Sequence, residues 1–179
     1  MLYAFGFDRL ALLVSDLYFQ HPDPPKGQEG PEHGVRLELR QIKAGELRGS
    51  IYSARPISIA EPIWRVDLLE SVGGRPGSFD RAHHHPSFAD WNESARSFEI
   101  ELSADPIGWL GRKLMDLTSL LAQAGVAAGT ASPVDLERIP AAVPEILDAT
   151  RRLLDRVRAG ELGRGPEEPS SGMIRAGWL

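Results

Sequence analysis

The hydrophobic period changes once along this chain, at Asp105-Pro106, and that switch constrains the fold more than any other feature. Upstream, Val35, Leu37 and Leu39 alternate with Arg36, Glu38 and Arg40, and Trp64, Val66 and Leu68 alternate with Arg65, Asp67 and Leu69. A period of two places the two sets on opposite faces of a β-strand. Ser97-Phe98-Glu99-Ile100-Glu101-Leu102 alternates as well and reads as a further strand. Downstream, Ile107, Leu110, Leu114, Leu117, Leu121 and Ala124 recur at helical spacing. Asp105 suits the N-cap, Pro106 the first helical position and Gly125 the stop.

The other segments fill in around this switch. In residues 3–19, Phe7, Leu10, Ala11, Val14, Leu17 and Tyr18 fit one face of a helix. Leu12 and Leu13 spoil its polar face, and Val14, Tyr18 and Phe19 favour extended backbone, so the expectation is a strand, or two joined near Asp8-Arg9. Gly45 and Gly49 punctuate an expected hairpin into Leu47-Arg48 and Ile51-Tyr52, and Ile57-Ser58-Ile59 reads as a short edge strand between Pro56 and Pro62. Ser132-Pro133 suits a short helical turn, and Pro144 the first turn of another helix ending before Gly160. Strands first and helices last make the class α+β. The expectation is an antiparallel sheet, open or partly closed into a barrel, in the N-terminal two-thirds, packed by a C-terminal helical pair. Residues 1–160 are expected to form one domain, and 161–179 a mobile tail carrying Trp178 and Leu179.

Composition removes several functions. A net charge of −5 argues against a nucleic-acid binder, and the basic group Arg151, Arg152, Arg156 and Arg158 is interrupted by Asp155. No stretch is apolar over the length a bilayer requires, and no basic lead-in precedes Met1-Leu2-Tyr3, so a cytoplasmic location without membrane contact is expected. The absence of cysteine excludes disulfides, thiolate catalysis and a Cys-based zinc site.

Chemistry concentrates at Asp80-Arg81-Ala82-His83-His84-His85-Pro86, after the loop Gly73-Gly74-Arg75-Pro76-Gly77. In extended backbone His83 and His85 share a face and His84 takes the other. Two imidazoles and a carboxylate can bind a divalent transition metal, with open positions for catalysis. Asp80 is the nearest carboxylate in sequence; Asp67, Glu70, Glu38, Glu99, Glu29 and Glu32 are remote options, and His33 is a candidate third imidazole. In a metal-free version one histidine acts as general acid or base beside Asp67. The spacing of His83 and His85 also occurs in cupin barrels. Here Pro86 follows at once, Glu93 is the nearest following Glu and no histidine comes later, so that ligand set is not completed. No H-E-x-x-H, phosphate-binding glycine loop or G-x-S-x-G occurs.

The alternate residues Arg36, Glu38, Arg40, Arg65, Asp67, Glu99 and Glu101 are expected on a solvated sheet face crossed by salt bridges. In an enclosed arrangement, Trp64, Phe88 and Trp91 would wall a pocket for a small molecule. The loop His21–Gly34, with four prolines, is long enough for a lid. Two functional classes follow. The first is a small-molecule enzyme with a histidine-centred, metal-dependent pocket: His83 and His85 bind the metal with Asp80 or Asp67, or His83, His85 and Asp67 act directly. The second is a non-enzymatic binding or accessory protein working through oligomer or partner contacts of the C-terminal helices, a homo-oligomer included.

Overall fold

A computed structural model describes residues 1–45 and 56–166. The expected hairpin through Leu47-Arg48 and Ile51-Tyr52, and the segment holding Trp178 and Leu179, lie outside the described residues. Five strands follow one another in the sheet, each antiparallel to the next: β1 (Leu2–Gly6), β2 (Leu10–Phe19), β3 (Glu32–Ala44), β4 (Ile57–Ser71) and β5 (His83–His85). Among the described residues the outer strands do not pair with each other, so the sheet is open and the barrel alternative is set aside. β1 and β2 are joined at Asp8-Arg9, where the Asp135 carboxylate accepts from the backbone N–H groups of both residues.

Two strands expected separately, around Ile57–Ile59 and Ile63–Val72, are one. Pro62 sits opposite Arg40, between register shifts at Leu39/Arg40 and Arg40/Ile42. A proline lacks the ladder donor, and the shift accommodates the loss without ending the strand. β3 begins at Glu32, inside the stretch expected to be loop. Gly34 is required there, because a Cβ would stand 2.0 Å from the backbone oxygen of Leu68.

Beyond β5 the chain forms a small antiparallel pair, β6 (Phe88–Ala89) and β7 (Asn92–Glu93), turned at Asp90 with φ 55°. Ser97 contributes only a single bridge to His84, and the strand expected over 97–102 gives way to α1 (Ile100–Ala104). Six alternating residues are also compatible with one helical turn that buries only Leu102. Asp105 caps α2 (Pro106–Met115) as expected, accepting from Gly108 N–H. The helix expected to continue through Ala124 breaks at Asp116, whose carboxylate caps α3 (Leu117–Gln123).

Ser132 and Asp135 form a capping box that opens α4 (Pro133–Arg158), which runs unbroken through Pro140 and Pro144. Each interior proline removes one backbone donor and costs on the order of 3 kcal/mol. Burial of Ile139, Val143, Ile146, Leu153 and Leu154 along one stripe offsets that, at roughly 1.5–3 kcal/mol per side chain. The helical pair is therefore a layer of four helices. α4 and α2 lie against the sheet face formed by Leu10, Leu12, Val14, Val35, Leu37, Leu39, Trp64 and Val66. Leu162 packs against this core, and Gly163 N–H donates to Asp16. Among the described residues no helix is long and apolar enough to cross a membrane.

Candidate functional site

The opposite sheet face carries the chemistry, and register assembles it. Across β3, β4 and β5, Arg36 stands opposite Asp67 and Asp67 opposite His83; in the next row Glu38 stands opposite Arg65 and Arg65 opposite His85. Directly opposed residues have Cβ atoms about 4.5–5.5 Å apart, so each row is a line of touching side chains. The intervening residues His84, Val66 and Leu37 point towards the helices.

This face is not the solvated one expected. Asp67, His83 and His85 are 1–2 % exposed, and Arg65 is also buried. The segment after β5 folds back over them. Phe88 lies under the Arg65 guanidinium at 5.5 Å and Trp91 under Arg40 at 5.3 Å, while Phe98 stands against the His83 ring at 5.5 Å. Trp64, expected beside Phe88 and Trp91, is on the helix side instead, stacked on Trp109. Its position on β4 has the parity of Val66 rather than of Arg65.

Hydrogen bonds fix the state of both imidazoles. His83 Nδ1 is 2.8 Å from the Arg81 carbonyl and His85 Nδ1 is 2.7 Å from the Ser94 carbonyl. A carbonyl only accepts, so each Nδ1 carries the proton and each neutral ring presents a bare Nε2. Among the described residues His85 Nε2 is buried with no hydrogen-bond partner. His83 Nε2 faces Asp67 Oδ2 at 3.4 Å, lone pair against lone pair. Burial lowers the histidines: His83 is pushed down to about 4, and His85 is lowered for the same reason, so both are neutral at pH 7. For Asp67, burial works to raise the carboxyl, but the hydrogen bonds and charge of Arg36, then Arg65 and His83, outweigh it and hold the group below its usual range.

One ligand atom each from Asp67, His83 and His85 lies within 4.8 Å of the others. The 3.4 Å between His83 Nε2 and Asp67 Oδ2 matches the ~3.4 Å edge of a tetrahedron with bonds of about 2.1 Å. Nδ1–H donated to a backbone carbonyl is also how metal-ligating histidines are generally oriented. Asp67 has other obligations. Arg36 donates to both its oxygens, at 2.7 and 3.0 Å, and Arg65 Nε is 3.4 Å from Oδ2. A carboxylate offers about four lone-pair sites, so the Arg36 fork leaves one on each oxygen.

The remaining candidates are placed elsewhere. Asp80 is not in the cluster; its carboxylate accepts from Ser71 N–H and from the Ser71 and Ser78 hydroxyls, bracing the turn before β5. Glu70 is taken by Arg158 at 2.6 Å and by Gly77 N–H. His33, one residue from Gly34, points to the face opposite His83. His21 accepts from Asp23 N–H and packs on Phe19. The loop before β3 is held at its tip, where Arg81 donates to the Gly27 carbonyl and Arg96 to Gln28. Glu29 there accepts from Gly27 N–H. The cover over the cluster is the β6–β7 pair, a stretch whose sequence signals are limited to the aromatics Phe88 and Trp91.

His84 belongs to a separate group. Its Nε2 donates to Glu99 Oε1 at 2.8 Å, and Trp109 Nε1 donates to Glu99 Oε2 at 2.8 Å. Glu99 and Glu101 therefore do not join the charged sheet face; with Trp109, Arg112, Lys113 and Gln123 they line a cleft of about 540 Å³ on the helix side. No protein family matches this chain, and neither curated proteins nor solved structures gave a match.

Proposed function

We propose that this protein is a small-molecule enzyme whose reaction centre is a divalent transition metal held by Asp67, His83 and His85. The observation that carries this reading is the pair of bare Nε2 atoms, left by backbone carbonyls that hold Nδ1, on two histidines that bring a ligand atom within 4.8 Å of each other's and of Asp67's. Two histidines and one carboxylate leave coordination positions open, and a metal there would supply Lewis-acid chemistry for hydrolysis or isomerisation, or, if redox-active such as iron(II), the electrons for oxygenation by O2. Asp80 is not assigned to the ligand set, since its oxygens are occupied by Ser71 and Ser78.

A second reading has its own support in the Arg36 fork on Asp67. In it the centre is metal-free: His85 Nε2 accepts a proton from the substrate, and the paired carboxylate steadies the charge that forms. Elemental analysis separates the two. Untagged protein, stripped with chelator and dialysed against zinc, manganese or iron(II), is expected to retain close to one equivalent of one of them. Retention well below stoichiometry for all three overturns the metal centre.

A further inference from the structure

The charged face holds a second feature beside the cluster, and the inference drawn from it rests on reading Asp67, His83 and His85 as the reaction centre. Arg65, on β4, stands directly opposite His85 on β5, and its side chain is 9 % exposed. Among the described residues its Nε is buried without a hydrogen-bond partner, 3.4 Å from Asp67 Oδ2. At the other end of the guanidinium, Nη2 donates to Glu93 Oε2 at 2.5 Å. The two partners differ in kind. Arg65 is anchored mid-sheet; Glu93 has a side chain 48 % exposed, on a strand two residues long. A hairpin so short has little stability of its own.

Charge points the same way. On this face Arg36, Arg40 and Arg65 meet Glu38, Asp67 and Glu93, with the histidines neutral. Withdrawing Glu93 removes a negative charge from beside Arg65 and His85, and a metal ion at the cluster would make that end of the face more positive still. Among the described residues, the guanidinium without Glu93 keeps only its longer carboxylate contacts, with Asp67 at 3.4 Å and Glu38 at 3.9 Å, and its Nη2 loses the one carboxylate hydrogen-bonded to it. The group that best replaces Glu93 is therefore itself anionic.

We propose that Glu93 occupies an oxyanion subsite. The substrate carries a carboxylate or phosphoryl group that replaces the Glu93 carboxylate on Arg65 as the β6–β7 pair swings outward. The planar guanidinium fork suits either group. The exchange swaps one anion for another, so Arg65 stays paired throughout. The bound group then lies one side chain away from His85, which sets the reacting part of the molecule against the cluster.

Two oxyanion probes, inorganic phosphate and acetate, test this on the full chain and on Glu93→Gln. Affinity is read by calorimetry and the Arg65 Nε–H by NMR, its resonance assigned by its loss in Arg65→Lys. Glu93→Gln is expected to bind one or both probes about tenfold more tightly than the parent, because a tethered competitor has been removed. The Arg65 resonance should shift along the same binding curve, and the probe with the larger gain names the group as phosphoryl or carboxylate. Equal affinities in parent and variant, or binding that leaves the Arg65 resonance unmoved, overturns the subsite. Metal retention is read separately on the same samples. Metal without a Glu93 effect removes the subsite alone; a Glu93 effect without metal removes the metal centre alone.

Discussion

The two faces of this sheet are made by the same strands, residue by residue in alternation, and they are stabilised in opposite ways. Towards the helices, Leu12, Leu37 and Val66 are buried by whatever apolar volume α2 and α4 bring, and their contribution is roughly additive in area. Towards the β6–β7 cover, Asp67 and Arg65 are buried, and Arg36 half-buried, only because each is paired. A buried ion pair is often matched or bettered in stability by an apolar replacement. A chain selected for stability alone would have no reason to put two arginine–carboxylate rows and two bare imidazoles there. The contrast also runs through one tripeptide: His84 serves the apolar layer, and its neighbours serve the charged one.

The largest effects should come from removing one member on each side. Asp67→Ala strands Arg36 and Arg65 in a buried site and is expected to cost about 3–5 kcal/mol. Leu37→Ala opens a cavity and is expected to cost about 2–5 kcal/mol. Urea unfolding measures both. The faces are then told apart by metal retention per folded molecule, which Leu37→Ala should preserve and Asp67→Ala should abolish. Retention by both variants would make the charged face purely structural.

Smaller effects are expected within the histidine run. His83→Ala and His85→Ala should each reduce metal retention to a trace, and His84→Ala should retain it. His84→Ala should instead lose about 1–3 kcal/mol of stability, because Glu99 gives up a buried charge-assisted hydrogen bond. Elemental analysis beside thermal melts gives both readouts. Three variants that lose metal to the same extent would mean that the alternation does not divide the functions.

How much of this was legible in the sequence follows from how local each cause is. The alternation at Val35–Arg40 and Trp64–Leu69 is local, and so is the shared parity of His83 and His85; those faces could be read directly. Register is not local. Nothing in the residues says that Asp67 stands opposite His83 rather than one pair away, and sequence proximity made Asp80 look nearer than it is. Asp80 is drawn off by Ser71 and Ser78, hydroxyls whose placement depends on the turn. The charged face was read as solvated because its cover, Phe88 to Glu93, has no long strand signal of its own. Helix α4 ran through two prolines because a long buried stripe outweighs two missing donors, a sum over tertiary contacts that local punctuation does not contain.

The smallest effect sharpens the comparison at the rim of the charged face. Glu32 is buried on the same side as Arg36, with Oε2 unpartnered and Arg96 no closer than 4.0 Å. Burial raises its pKa; Arg96 and Arg81 lower it less than burial raises it, and Asp67 and Asp80 raise it further. The folded state therefore binds this proton more tightly than the unfolded chain does. Stability from this group is fully present below the unfolded value near 4.5 and declines as pH rises through the folded value, with a slope no steeper than about 1.4 kcal/mol per pH unit, the limit for one proton. Glu32→Gln keeps the shape and removes the titration. Its melting temperature should match the parent's near pH 4 and exceed it at pH 7, as followed by thermal melts across that interval. A variant less stable than the parent at pH 7 would show that the Glu32 charge is held by Arg96 after all, and that the rim obeys the same pairing rule as the centre.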